Sequence, residues 1–256
     1  MDLGMQGRKA VITGATRGIG RAIAETLADA GADVAFCARD LQQVQTTVQA
    51  LKSKGVQAFG ARVDVADGQA LKAWIAEAGR QLGGIDILVS NASALAMGNG
   101  EQDWSDSVAV DLMGAVRSVE AASPLLEQAA ARHGDACVII ISSAAAAETD
   151  YETSYGAVKA ALIHFAKGAA RRLALKGVRV NVVSPGTVYF KDGFWHKVEQ
   201  HMPDMYQAWL ARNPMGRMAR PEEVAQTAVF LASPRSSFTS GANIVIDGAL
   251  TVRVNY

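Results

Sequence analysis

Lys9-Ala10-Val11-Ile12-Thr13-Gly14-Ala15-Thr16-Arg17-Gly18-Ile19-Gly20 is the stretch on which the reading of the fold turns. Lys9 to Thr13 reads as a short apolar strand. Gly14 to Gly20 is a glycine-rich turn, after which Ile19, Ile23 and Leu27 recur at helical spacing until Gly31 ends the pattern. Glycine lets the backbone turn tightly and approach a ligand, and a helix N-terminus offers free N–H groups and partial positive charge. The unit therefore suits a nucleotide pyrophosphate. Its spacing differs from G-x-G-x-x-G, and no Lys-Ser/Thr follows as a P-loop requires. Ordinary strand–helix turns also use glycine, so the motif gains its weight from standing at the first βα turn.

Working outward, the alternation persists. Val34–Ala38 is a second buried strand; Asp40 caps a helix whose Leu41, Val44, Val48 and Leu51 share a face, with Gln43 completing a capping-box pattern. Strands are expected at Ala58–Val63, Ile85–Val89, Val138–Ile141, Val178–Val183 and Asn243–Ile246. Helices are expected after Asp67, from about Trp104 to Ala131, from Ser154 to Leu175, and from Pro221 to Leu231. Val/Ile-rich strands with little alternation are buried on both faces. Right-handed crossovers then give a single-domain, doubly wound parallel sheet with helices on both faces, Rossmann-type in architecture and spanning residues 1–256. The rhythm breaks only at about Thr187–Gly216, a stretch rich in Met, Trp, Tyr and Phe that follows a strand end. That segment reads either as amphipathic helices packing on the body or as a lid over an apolar substrate.

Composition narrows the classes. A chain of 256 residues, half of them hydrophobic, buries a large core as one domain without staples. Lys+Arg and Asp+Glu are 25 each, so no net field draws nucleic acid or an acidic membrane. Cys37 and Cys137 sit in apolar runs and read as buried thiols without metal-ligand spacing. His133, His164, His196 and His201 are scattered, so no metal site is expected. No G-x-S-x-G elbow is present. Neither a signal peptide nor an apolar run long enough to span a membrane is read, and a soluble, cytoplasmic setting is the expectation.

Several positions carry candidate chemistry. Arg39 follows the second strand, where a carboxylate would bind a ribose 2′-hydroxyl; an arginine suits a 2′-phosphate instead. Asp64 lies just past the third strand, as a solvated turn residue or a ligand contact. Tyr155 and Lys159, four apart at a helix start, share a face. An ammonium beside a phenol favours phenolate, and such a pair can exchange a proton with a carbonyl or alcohol oxygen. On spacing alone such a pair is usually surface decoration.

Together these residues resemble the short-chain dehydrogenase/reductase family over about Lys9 to Gly248. Thr13 to Gly20 resembles its cofactor loop, with Gly14, Thr16, Arg17, Gly18, Ile19 and Gly20 implied as contacts. Asp64-Val65 resembles its adenine-contacting pair, and Ser90-Asn91-Ala92-Ser93 the segment closing the fourth strand. Tyr155-Gly156-Ala157-Val158-Lys159 matches the Tyr-x-x-x-Lys signature. Ser184-Pro185-Gly186 matches a turn beside the nicotinamide, and Arg220 to Ala225 a late helix start.

The resemblance implies that Tyr155 transfers a proton to or from the substrate oxygen while Lys159 assists it and holds the nicotinamide ribose. A serine ending the fifth strand would hydrogen-bond that oxygen. Strand phase favours Ser143, and the commonest spacing to the tyrosine favours Ser142; Ser143 is the choice, because loop length varies more easily than strand phase. Asp111 stands where the family has an asparagine and cannot donate like an amide, which alters the relay past Lys159; an Asp111→Asn change is expected to be tolerated or to raise turnover. Ser93 replaces a glycine, and Phe190 stands where a threonine often meets the carboxamide, leaving that contact to Thr187 or the Val188 backbone.

The implied activity is an NADP(H)-preferring ketone reductase or alcohol dehydrogenase, with NAD(H) as the second cofactor and a small apolar carbonyl or alcohol as substrate. The rivals are a 3-oxoacyl-thioester reductase and a nucleotide-binding protein with impaired catalysis. A homotetramer, meeting through the late helix and final strand, is the implied assembly.

Overall fold

The computed structural model describes residues 2–149 and 152–252. The strands are β1 (Lys9–Thr13), β2 (Asp33–Ala38), β3 (Ala58–Arg62), β4 (Ile87–Ser90), β5 (Ala136–Ile141), β6 (Val178–Pro185) and β7 (Asn243–Ile246). They form one parallel sheet in the order β3-β2-β1-β4-β5-β6-β7. The chain builds outward from β1 in one direction through β3, then returns to β1's other side with β4. That reversal opens a crevice above the carboxyl ends of β1 and β4, where open parallel sheets bind ligands.

The helices are α1 (Gly18–Asp29), α2 (Leu41–Lys52), α3 (Gly68–Leu82), α4 (Glu101–Asp106), α5 (Met113–His133), α6 (Ser154–Ala174), α7 (Phe194–His201), α8 (Pro203–Arg212) and α9 (Pro221–Ala232). Side chains of a strand alternate between faces, so each strand feeds two cores. Val11, Leu88, Val138 and Ile140 pack beneath α3, α5 and α6. Ile12, Val89, Ile139 and Ile141 pack on the opposite face beneath α1 and α9. A chain with two buried faces needs strands that are apolar throughout, which is the pattern the sequence carries.

Local signals act as their chemistry requires. Asp40 accepts a hydrogen bond from the Gln43 N–H at 2.9 Å and caps α2. Asp67 accepts from Gln69 and Ala70 N–H groups, each at 3.0 Å, and caps α3. Some boundaries move. β4 begins at Ile87 rather than Ile85, and β6 runs on to Pro185. The helix expected from Trp104 begins at Glu101 and reaches His133, but only through a π-helical turn at Ser107–Leu112. Such a turn admits one extra residue, and here it lies over the crevice.

Candidate active site

A cavity of about 1080 Å³ opens above the crevice, large enough for a dinucleotide and a substrate together. Its floor is the glycine turn. Gly14 and Gly18 have φ of +73° and +55°, a left-handed conformation that favours glycine. At Gly20 a Cβ would lie 2.2 Å from the Gly14 carbonyl oxygen, so the turn closes only with hydrogen there. Asn91 stitches the turn to β4: its Nδ2 donates to the Gly14 carbonyl at 2.7 Å, and its own N–H donates to Thr13 Oγ1 at 3.0 Å. No side chain caps α1. An uncapped helix N-terminus ringed by glycine fits a pyrophosphate.

Every residue that the sequence assigned to cofactor or substrate lines this cavity. The turn contributes Gly14, Thr16, Arg17, Gly18, Ile19 and Gly20. Arg39, Asp64, Val65, Asn91 and Ala92 line the β2–β4 side, and Ser143, Tyr155, Lys159, Pro185, Gly186 and Val188 the other. Arg39 is exposed on the rim beside Asp40, whose carboxylate is held by its own helix cap.

The two serines differ in what their protons do. Ser142 is buried, and its hydroxyl donates to the Lys159 carbonyl at 2.7 Å, tying β5 to α6. Ser143 is half-buried and accepts from the Ala145 N–H at 3.1 Å, which leaves its own O–H free to donate. Past β6, the Thr187 hydroxyl donates to Asn213 at 3.0 Å and its carbonyl accepts from Ala219 at 2.9 Å. Tyr189 N–H donates to the Ala219 carbonyl at 2.8 Å, and the Val188 N–H takes no part in these bonds. The Phe190 ring lies against Gly18, so close that a Cβ there would meet it at 2.6 Å.

Thr153 caps α6 by accepting from the Gly156 N–H at 3.1 Å, which sets Tyr155 and Lys159 in the first turns. The Lys159 ammonium lies 5.4 Å from the Tyr155 ring centroid, donates to the Ile141 carbonyl at 3.1 Å, and lies 3.0 Å from Asp111 Oδ1. Burial disfavours the lysine charge, but Tyr155 and Asp111 outweigh it and raise its affinity for the proton. The thiol of Cys37, also on the cavity wall, is pushed up to about 12 chiefly by burial and is inert at neutral pH.

The outer cavity is walled by the irregular segment, which holds α7 and α8. Phe194, Trp195, Met205, Ala208 and Trp209 face the cavity together with Leu95 and Met97 from the loop after β4. Trp195 and Trp209 pack at 5.5 Å between ring centroids. Arg212 stacks on Trp209 at 4.3 Å and pairs with Glu148 at 3.3 Å across the mouth. Sequence reasoning missed Glu148, Leu95, Met97 and Leu250, which reach the site from loops without periodicity. Among the described residues no cluster of His, Cys, Asp or Glu could hold a metal, and no helix is long and apolar enough to cross a membrane.

Comparison with known proteins places this geometry in context. Residues 14–251 match the family described as enoyl-(acyl carrier protein) reductase. The chain is 34% identical to isoepoxydon dehydrogenase patN of Aspergillus clavatus, covering 98% of both chains. It is 33% identical to the 3-oxoacyl-[acyl-carrier-protein] reductase FabG of Staphylococcus aureus, over 95% of this chain and 98% of that one. L-sorbose reductase from Gluconobacter frateurii, solved in complex with NADPH and L-sorbose, superposes with a TM-score of 0.89 at 32% identity, over 99% of this chain and 100% of that one.

Proposed function

The chain belongs to the short-chain dehydrogenase/reductase family, an oxidoreductase that interconverts carbonyl and alcohol groups with a nicotinamide cofactor, and from that premise we propose how its residues divide the work. The bound cofactor supplies or accepts the hydride. The Tyr155 hydroxyl gives a proton to the carbonyl oxygen in reduction, or takes it from the alcohol in oxidation. Ser143, with its O–H unspent, donates to the same oxygen and fixes its position. Lys159, charged and buried, stabilises the tyrosine's anionic form and holds the ribose hydroxyls.

NADP(H) is the preferred cofactor. The supporting observation is that Arg39 stands free on the rim while Asp40, the nearest carboxylate, is committed to capping α2. Arg17, exposed in the turn, supplies a second guanidinium toward the phosphate. Segment 187–216 acts as a lid, and its aromatic and methionine lining suits an apolar ketone. A 3-oxoacyl thioester is the second reading, motivated by the likeness to FabG. The protein works as a homotetramer in the cytoplasm, where Cys37 and Cys137 remain buried thiols.

The observation that carries the acid–base reading is the Tyr155–Lys159 pair on the wall of the cavity that Ser143, with a free proton, also lines. A Tyr155→Phe variant, assayed on a ketone and alcohol panel with both cofactors, tests it. Turnover should fall by about 10²–10⁴-fold, the usual worth of general acid–base help, with cofactor affinity nearly unchanged. Activity within a few-fold of the unaltered enzyme eliminates Tyr155 as the proton carrier.

A further inference from the structure

Lys159 keeps its charge in a place that burial makes hostile to charge, with Tyr155 and Asp111 offsetting the burial, and Asp111 is the carboxylate of the two. The π-helical turn Ser107–Leu112 swings Asp111 inward, so that its side chain is 1% exposed and faces a lysine that is 3% exposed. Each carboxylate oxygen meets a different donor. Oδ2 accepts from the Ala94 N–H at 2.9 Å, in the loop leaving β4. Oδ1 lies 3.0 Å from the Lys159 ammonium, off the ideal hydrogen-bond direction, and has no other partner. The carboxylate thus bridges the cavity loop to the lysine with two acceptors.

An amide has one acceptor and one donor in the same outline. Turned either way, an asparagine here would point N–H groups at the ammonium or at the Ala94 N–H. It would also leave the ammonium without a counter-charge, and removing one partner of a buried pair is costly. We propose that Asp111 is a positioning residue that acts through Lys159, holding the ammonium charged and fixed to the β4 loop. The proposal rests on the acid–base reading above for its kinetic consequence, but not for the pairing itself. It also reverses the expectation that an asparagine at 111 is tolerated or beneficial.

The sign of the pH effect follows from the groups that face Lys159. These are Tyr155 from α6, Asp111 from the π-helical turn and the uncharged Ile141 carbonyl from β5. Burial lowers the lysine's proton affinity, whereas Tyr155 and Asp111 raise it, with a net rise. A group held above its ordinary value stays charged until the pH climbs through that raised value. Without the carboxylate, burial gains the upper hand and the charge is lost at lower pH.

Two measurements test this. The first is a melting cycle on cofactor-free protein with Asp111→Asn, Lys159→Met and the double variant. Each single variant should melt lower, because it strands a buried group, and the double variant should recover most of the loss. If Asp111→Asn does not fold alone, its recovery by Lys159→Met supports the pair equally, and no recovery refutes it. Additive losses in the cycle would overturn the proposal. The second is kcat against pH for Asp111→Asn. Its alkaline limb should move down by about 1–3 pH units, the size of shift that one nearby opposite charge brings. A profile parallel to that of the unaltered enzyme at every pH refutes the positioning role. Because the melting cycle needs neither cofactor nor substrate, it still reports on the pair if Tyr155 proves not to be the proton carrier.

Discussion

Ser142 and Ser143 show what one hydrogen bond decides. Strand phase and loop spacing disagree over them, and neither argument from sequence sees the Lys159 carbonyl that takes the Ser142 proton. Ser143→Ala should therefore cut kcat heavily while leaving the fold intact. Ser142→Ala should lose only the hydroxyl that ties β5 to α6, because the Lys159 carbonyl keeps its helical partner, costing about 0.5–1.5 kcal/mol in unfolding free energy with a much smaller loss of kcat. The opposite ranking in steady-state rates would return the role to Ser142. Arg39 is a second case at this scale. An arginine after β2 carries its own chemistry, and Asp40 is engaged in capping α2, so the proposed NADP(H) preference comes down to this residue. Arg39→Ala should weaken NADPH binding while scarcely touching NADH, as measured by quenching of protein fluorescence. Equal weakening of both would sink the assignment. Asp111 was legible as a departure from the family pattern, but its pairing with Lys159 was not. That pairing depends on a π-helical turn, which a 3.6-residue periodicity does not register.

At the scale of elements, the strands and the helices beside them were legible because the two layers carry different apolar patterns. Strands buried twice are apolar throughout, while helices such as α2 and α3 carry one apolar face and a named cap. The segment between β6 and α9 was not legible in detail. Among the described residues α8 buries none fully and α7 buries only Val198, so no core stripe fixes their phase. Phe194, Trp195, Met205 and Trp209 instead face the cavity, and the order of the segment depends on contacts such as Trp195 on Trp209 and Tyr189 on Glu199. The Tyr189 phenol is pushed up to about 12, first by its hydrogen bond to Glu199, and stays protonated at any working pH. A wall held by aromatic packing has a size preference. For a homologous ketone series, kcat/KM should rise with apolar bulk to a limit, and Trp209→Ala should flatten that rise by opening the wall. A preference for small, highly polar ketones, unaltered in Trp209→Ala, would show that α7 and α8 merely pack on the body.

The whole molecule has an unfinished side. β5, in mid-sheet, is buried at every residue, whereas all four residues of β7 at the sheet's end are only half-buried. Phe238, between α9 and β7 in the chain, is fully exposed, and Phe230 on α9 is 41% exposed. Among the described residues no strand pairs with the outer edge of β7, and large apolar groups near such an edge invite association, of which closed symmetric assemblies are the usual outcome. The buried Arg179 on β6 pairs with Asp135 at 2.7 Å and donates to the Leu231 and Ser233 carbonyls at 2.6 Å and 3.1 Å, which pins the end of α9 to the sheet. The same edge leads directly to the site, because Leu250, a few residues beyond β7, lines the cavity. Sedimentation equilibrium at micromolar protein should thus report a tetramer, and the pair Phe230→Asp with Phe238→Asp should shift it to a smaller species. Loss of the interface should then raise KM, since Leu250 lines the cavity. A monomer in the unaltered protein, or a tetramer that survives both charges, would move the contact away from α9 and β7.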